Sequence, residues 1–336
     1  MPNETKTLTY ESKTKLAKTN EGSPSLDIFF TPRGSVPVCN QSCSGCYYFA
    51  NYNSKEKAIS ASEVPDLIKH FKELGFEVFF PITSEILLAD NWKDYFKMTG
   101  DTYVNTNGKV IASKGKSLLE ELADAGIKQI IMTGNVTNSH DALNLTSKPI
   151  VEKAFSNIFK YNSSNPEKHF KTGATMTITS ENFNLVQYMC EYAHDVYKTD
   201  AVKFVAYIPL NGNLAGLAPS LEQLAVSLAQ IDEMRQHYDP STFYIQRGGT
   251  MGSQGLSEEK ISGLCPAGES LYAVKSMENG SPVTPCIYIP HIAVGHVSDG
   301  AIVIDKKALD EFNQFKLKTI NEGYCPAHAI TTGKVF

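Results

Sequence analysis

Residues 38–48 read Val38-Cys39-Asn40-Gln41-Ser42-Cys43-Ser44-Gly45-Cys46-Tyr47-Tyr48, and they come soon after a strand-like run, Leu26–Thr31. Three thiols on one short loop can hold three corners of an iron–sulfur cubane, which leaves the fourth iron without a protein ligand. That open iron is able to chelate the amino and carboxylate groups of a small molecule. Loops that follow strands at the C-terminal end of an α/β barrel are also where such folds carry their active sites. The alternatives are a structural zinc site or three unrelated buried thiols. Zinc ordinarily takes four ligands, often as two Cys-x2-Cys pairs, and this loop offers three.

Outward from this loop the chain alternates between strand-like and helix-like segments as far as about residue 240. Strands are expected at Leu26–Thr31, Val78–Thr83, Thr102–Asn105, Gln129–Thr133, Thr172–Thr179 and Val202–Ile208, rich in β-branched and aromatic residues and closed by turn formers. Between them, Ser62 is a candidate cap for a helix with apolar face Leu67, Ile68, Phe71 and Leu74, ended by Gly75. Further helices are expected over Ser117–Ala125, Pro149–Tyr161 and Phe183–Tyr197. Another starts at Ser220, with Gln223 completing a capping-box pattern, and runs to about Tyr238. Repeated strand–helix units imply parallel pairing, because a parallel neighbour needs a crossover. The expectation is an α/β fold, a partial (β/α)6 TIM-like barrel over residues 25–240, with a doubly wound open sheet as runner-up.

After Pro240 glycine and proline punctuate the chain, and no long helix is expected before Lys307–Leu317. A hairpin is expected over Leu271–Tyr288, turning at Glu278-Asn279-Gly280-Ser281. Residues 241–336 therefore read as a small, loop-rich second domain, and residues 1–24 as a flexible, polar N-terminal tail.

The chain has 336 residues, 42% of them hydrophobic and 20% charged, with a formal net charge of −5. Lys and Arg are scattered, which argues against a nucleic-acid partner. No apolar run approaches a bilayer span, and the N-terminus lacks the apolar core of a signal peptide, so a cytoplasmic protein without a membrane partner is expected. The 7 cysteines are an odd number in such a chain, which argues against a disulfide framework. All but Cys190 fall into two groups, Cys39, Cys43 and Cys46 near one end and Cys265, Cys286 and Cys325 near the other.

The Cys39-x3-Cys43-x2-Cys46 spacing after the first strand resembles the signature of the radical S-adenosylmethionine (radical SAM) superfamily. That resemblance implies a four-iron four-sulfur cluster on Cys39, Cys43 and Cys46, S-adenosylmethionine as coenzyme, and a reducing protein such as flavodoxin or ferredoxin. The sequence departs from the family at Gly45, where an aromatic residue is common; Tyr47 or Tyr48 is a candidate to pack on the adenine instead. In Pro81-Ile82-Thr83-Ser84-Glu85, where relatives commonly show Gly-Gly-Glu-Pro, only Glu85 matches, and the resemblance assigns it the methionyl amino group; a surface glutamate is the alternative. Thr106-Asn107-Gly108 ends the third strand as in many relatives and is also good turn chemistry. By position after the later strands, Thr133, Asn135, Thr177, Thr179 and Asn182 are candidate coenzyme contacts, and Tyr207-Ile208-Pro209 resembles the family's adenine-contacting backbone.

The segments Cys265-Pro266-Ala267-Gly268 and Gly280-Ser281-Pro282-Val283-Thr284-Pro285-Cys286 resemble the start of the C-terminal cluster-binding extensions of such enzymes, the SPASM domain and its shorter twitch version. The implied cofactor is an auxiliary four-iron cluster on Cys265, Cys286 and Cys325. In Cys325-Pro326-Ala327-His328 the last ligand position is a histidine, so His328, the substrate or an open iron completes the set. A zinc-stapled loop domain is the alternative, and imidazole suits either metal. Cys190, in mid-helix, is either a hydrogen-atom donor, as in some radical epimerases, or a small buried hydrophobe.

The implied reaction is reductive cleavage of S-adenosylmethionine to a 5′-deoxyadenosyl radical and hydrogen abstraction from a substrate. An auxiliary cluster favours oxidative modification, by dehydrogenation or bond formation, of a small natural product or peptide. The stretch ahead of the first strand is short for a leader-peptide-binding domain, which tilts the expectation toward a small molecule or short peptide. Tyr103, Tyr207, Tyr244, Gln246 and Arg247 are candidate substrate contacts. The competing readings are a peptide epimerase or other maturase of ribosomal peptides, and a non-catalytic structural zinc or iron–sulfur protein.

Overall fold

The strand–helix alternation becomes a set of parallel strands, because each intervening helix returns the chain to the same end of the sheet. The computed structural model describes residues 5–7, 25–31, 39–46, 48, 59–60, 63–73, 78–82, 84–100, 102–210, 214–252, 265, 267–269 and 271–333. Its strands are β1 (Thr5–Thr7), β2 (Ser25–Thr31), β3 (Ile59–Ser60), β4 (Val78–Ile82), β5 (Tyr103–Thr106), β6 (Gln129–Thr133), β7 (Lys171–Ile178), β8 (Ala201–Ala206) and β9 (Tyr244–Arg247). Four more follow: β10 (Leu271–Val274), β11 (Pro282–Thr284), β12 (Gly295–Ser298) and β13 (Ala301–Asp305).

β5 to β9 form one parallel sheet in sequence order, and β2 pairs in parallel with β4. The architecture is the expected α/β one, a partial TIM-like barrel. All the expected barrel strands are present, with Thr83 outside the described residues, and β9 extends the sheet beyond them.

Alternating burial along β6 and β8 shows how the sheet divides its two faces. Met132 points toward Ala154 of the helix Lys148–Ser164, since both approach Gly108. Thr133, one residue on, therefore lies on the opposite, half-exposed face. The helix Leu221–His237 starts with the expected capping box: Gln223 N donates to Ser220 Oγ (3.3 Å) and Ser220 N donates to Gln223 Oε1 (2.8 Å). Such a cap stabilises a helix start by about 1 kcal/mol. The first expected helix is Val64–Glu73; its candidate boundary residues Ser62 and Gly75 lie outside the described residues.

The C-terminal region is joined to the barrel by a sheet. The expected hairpin is present as β10 paired antiparallel with β11, and β10 in turn pairs in parallel with β2, Leu271 opposite Ser25. β12 and β13 complete an antiparallel meander, and β1, from the expected N-terminal tail, pairs with β13. The long C-terminal helix spans Lys306–Asn321, capped by Asp305, whose carboxylate accepts from Ala308 N.

Candidate functional site

The loop Cys39–Cys46 is shaped by hydrogen bonds from two other turns. Its own backbone closes a tight turn, Cys46 N donating to Cys43 O at 3.2 Å. From the segment after β6, Leu143 O accepts from Ser44 N at 2.9 Å, Asn144 O accepts from Gln41 Nε2 at 2.6 Å, and Asn144 Nδ2 donates to Ser42 O. Asn144 sits in the left-handed region at φ 51°, which asparagine tolerates better than most residues. From the turn after β5, Lys109 Nζ donates to Asn40 O at 2.6 Å and Asn107 Nδ2 donates to Asn40 Oδ1 at 2.8 Å. That turn needs Gly108: its φ is 81°, and a Cβ there would lie 2.8 Å from Met132 Sδ.

Burial raises the pKa of the Cys39 thiol and pushes that of Cys43 up to about 12; the neighbouring cysteines add to both shifts, while Lys109 opposes it at Cys43. The sulfurs thus feel one another's charge. Desolvated, mutually repelling thiols keep their protons unless a cationic group draws them into ligation. Among the described residues no three His, Cys, Asp or Glu groups are disposed to hold a single metal ion. A cubane makes a different demand, because each thiolate binds its own iron. The donor set fits a cubane.

Glu85 is the acidic member of the site. It is 1% exposed, and its carboxylate accepts from Thr106 Oγ1 (2.9 Å to each oxygen), Asn107 N (2.8 Å) and Leu87 N (3.3 Å). Burial raises its pKa to about 7 against the pull of those donors. The alternative of a surface glutamate is thereby overturned: this is a desolvated carboxylate suited to receiving a cation.

Gly45 is explained by Tyr207. A Cβ at position 45 would lie 2.6 Å from Tyr207 Cε2 and 3.0 Å from Leu143 Cδ2. The Tyr207 ring, buried with Leu143 and Leu217, fills the space a larger side chain there would need. Tyr47 lies outside the described residues, and Tyr48 is buried with Ala273 of β10, with Cys46 and Ile287 packed against them. Tyr48 thus joins the first cysteine loop to the segment that follows Cys286.

The remaining candidates divide by how their polar atoms are used. Asn135 Nδ2 donates to Asp141 Oδ1 and Thr146 O, so its amide hydrogens hold the loop after β6. Thr179 is buried, with its N bonded to Asn182 Oδ1 and its Oγ1 accepting from Glu181 N. Asn182 also contacts His140, whose Nδ1 accepts from Val136 N and whose Nε2 faces Thr177 O at 2.7 Å; these contacts make the ring the neutral Nε2–H tautomer. Ile208 is buried beside Tyr207. Cys190 is fully buried in the main core on the helix Val186–Glu191, with its pKa pushed to about 12 by burial.

The second cysteine group is brought together only in part. Burial, and after it the charge of Cys265, raises the pKa of Cys325 to about 12. Cys265 precedes β10, and Cys286 follows β11 two residues beyond Thr284, the partner of Ala273, so both lie at the end of the hairpin where β10 begins. His328, 1% exposed, stacks on Tyr324, and neither ring nitrogen makes a hydrogen bond of normal geometry. Burial lowers its pKa, and the Pro219 carbonyl near the ring only partly offsets that. A buried imidazole with two unused nitrogens is an available ligand.

Lys316, which sequence reasoning missed, is 2% exposed on the helix Lys306–Asn321. Its Nζ donates to Ala267 O (3.0 Å) and pairs with Glu269 Oε1 (2.6 Å), which ties the turn after Cys265 to that helix. The signal was a lysine within the apolar stripe of Leu309, Phe312 and Ile320.

No protein-family model matches the chain, and no curated protein matches it. Among solved structures it is similar to SuiB of Streptococcus suis bound to S-adenosylmethionine, with 15% identity and a TM-score of 0.58 over 96% of this chain and 71% of that one. It is also similar to native anSMEcpe with bound AdoMet, with 14% identity and a TM-score of 0.53 over 89% of this chain and 84% of that one. With bound AdoMet and Cp18Cys peptide, anSMEcpe matches at 16% identity and a TM-score of 0.50, over 92% of this chain and 84% of that one. At such identities the likeness is one of fold alone.

Proposed function

We propose that this protein is a radical SAM enzyme that carries out an oxidative modification of a peptide or small molecule. One observation carries the reading: of three thiols on one loop, Cys39 lies near a buried carboxylate, Glu85, with Asn107 bonded to both. When bound on Cys39, Cys43 and Cys46, a four-iron cluster supplies the electron that splits S-adenosylmethionine into methionine and a 5′-deoxyadenosyl radical, which takes a hydrogen atom from the substrate.

The chain's own residues bind and orient. Glu85 receives the coenzyme's ammonium group, whose charge replaces the proton that burial otherwise favours. The ends of β6, β7 and β8 wall the coenzyme with Thr133, Asn135, Thr179, Tyr207 and Ile208. Thr133 is the one on the half-exposed face, Asn135 and Thr179 set the shape of the wall, and Tyr207 closes it against Gly45. Tyr47 directly follows Cys46 in sequence, and Tyr48 is buried beside Cys46. Cys265, Cys286 and Cys325 would hold an auxiliary cluster, with one unused ring nitrogen of His328 as the fourth ligand. Such a cluster would supply an acceptor for the electron left on a substrate radical, which favours dehydrogenation or bond formation over redox-neutral epimerisation; Cys190, sealed in the core, has no route to a substrate carbon. A peptide substrate gains weight because anSMEcpe, similar in fold, binds one. A reduced flavodoxin or ferredoxin is the proposed electron source.

Anaerobic reconstitution tests the reading. About eight irons per chain and release of 5′-deoxyadenosine after reduction support it. A colourless zinc protein, or an iron protein that never releases 5′-deoxyadenosine, refutes it.

A further inference from the structure

Asn107 touches both halves of the candidate site. Its backbone N–H donates to Glu85 Oε2 at 2.8 Å, and its side-chain Nδ2 lies 3.7 Å from Cys39 Sγ and 2.8 Å from Asn40 Oδ1. An amide nitrogen carries two hydrogens, and these two acceptors take one each. Which end of the carboxamide faces the loop is fixed locally: Asn107 Oδ1 accepts from Lys109 N at 3.0 Å, so the NH2 must point to Cys39 and Asn40. The residue is held at the end of β5 by a turn that requires Gly108, so the donor is preorganised.

Resting on the function proposed above, we propose that the Asn107 carboxamide is a positioning residue that donates a hydrogen bond to the Cys39 thiolate and thereby raises the reduction potential of the cluster on that loop. The physical reason is the charge change. One added electron increases the negative charge on the cluster and its sulfurs, and an N–H donor aimed at a ligand sulfur stabilises that state more than the oxidised one. Lys109, whose Nζ donates to Asn40 O at 2.6 Å, adds a positive charge beside the same loop. The same side chain ties Cys39 to the residue that holds Glu85, so the coenzyme's carboxylate anchor and the first iron ligand share one rigid turn.

The test is a potentiometric titration, followed by electron paramagnetic resonance, of the reconstituted full chain under anaerobic conditions. The cluster concerned is identified as the signal that changes when S-adenosylmethionine is added. Asn107→Asp keeps the acceptor for Lys109 N and loses both donors; Asn107→Ser keeps the backbone bond to Glu85 with a side chain too short to reach Cys39. In both, iron content is expected to stay as in wild type. The midpoint is expected to fall by the equivalent of about tenfold in the reduced-to-oxidised ratio, ~59 mV for one electron, further for Asp because of its charge. An unchanged midpoint in Asn107→Ser overturns the proposal, and so does loss of the cluster from both variants while the fold persists, since Asn107 would then serve assembly. A wild-type protein with no signal responsive to S-adenosylmethionine defeats the parent reading instead, which keeps the two failures distinct.

Discussion

Glu85 makes the ligand-free protein sensitive to pH in a way that can be worked out in advance. Its carboxyl is fully enclosed, its partners are neutral donors, and burial lifts its pKa from 4.5 to about 7. The sign follows from linkage: the folded state prefers the protonated carboxyl, so the stability due to this group is full below pH 4.5 and is lost as pH rises through about 7. At about 1.4 kcal/mol per pKa unit, the loss is on the order of 3 kcal/mol. The perturbation is Glu85→Gln, which keeps the shape and cannot ionise. Urea unfolding at pH 5, 6, 7 and 8 is the assay, and the difference between wild type and variant cancels the histidines that titrate in the same range. Wild type should lose stability relative to the variant between pH 5 and pH 8. If a coenzyme ammonium then binds the carboxylate, affinity for S-adenosylmethionine should fall about tenfold per unit below pH 7 and be insensitive to pH in the variant. Parallel stability curves for the two proteins would refute the reasoning, because Glu85 would then titrate as an ordinary, hydrated carboxylate.

Gly45→Phe should destabilise the protein by about 1–3 kcal/mol through overpacking against Tyr207 and Leu143, and Tyr207→Ala in the same chain should recover part of it; additive losses in thermal unfolding would show that the two sites do not touch. Replacing Cys39, Cys43 and Cys46 together by Ala should remove about half of the iron, and replacing Cys265, Cys286 and Cys325 the other half. If the first triple variant removes all iron by chemical assay, the C-terminal cysteines hold none. Lys316→Met should cost about 2 kcal/mol by stranding Glu269 and the Ala267 carbonyl, with most of the loss recovered in Lys316→Met/Glu269→Gln as read by urea midpoints.

The barrel was legible because its strands carry dense β-branched and aromatic runs and its helices carry an apolar stripe, and these periodicities are local. β9 escaped because Tyr244–Arg247 offers one buried residue, Ile245, among exposed or half-exposed neighbours, so no apolar run marks it. The cysteine loop was legible from spacing alone. Glu85 stood out only through its match to the family's Gly-Gly-Glu-Pro; its burial was not legible, because the donors that enclose it, Thr106 and Asn107, lie 21 and 22 positions away. The substitution at Gly45 was visible, but its cause was the remote Tyr207 ring. Lys316 shows the same limit from the other side, since a charge inside an apolar stripe signals burial without naming its partner.

The two cysteine groups are not separate modules on a flexible tether. β2, whose end leads toward Cys39, pairs along Ser25–Ile28 with β10, and Cys265 and Cys286 flank the hairpin that β10 begins. Tyr48 adds a side-chain tie, buried against Ala273 with Cys46 and Ile287 beside it. The spacing between the groups is therefore set by backbone hydrogen bonds and a packed ring, each of which resists displacement more than a linker would. A purely structural second site would need only to staple its own loops, and no such registry with the first would be required. Joining β10 to β2, rather than to its own meander alone, would hold two redox centres at a fixed separation, as the proposed oxidative reaction requires.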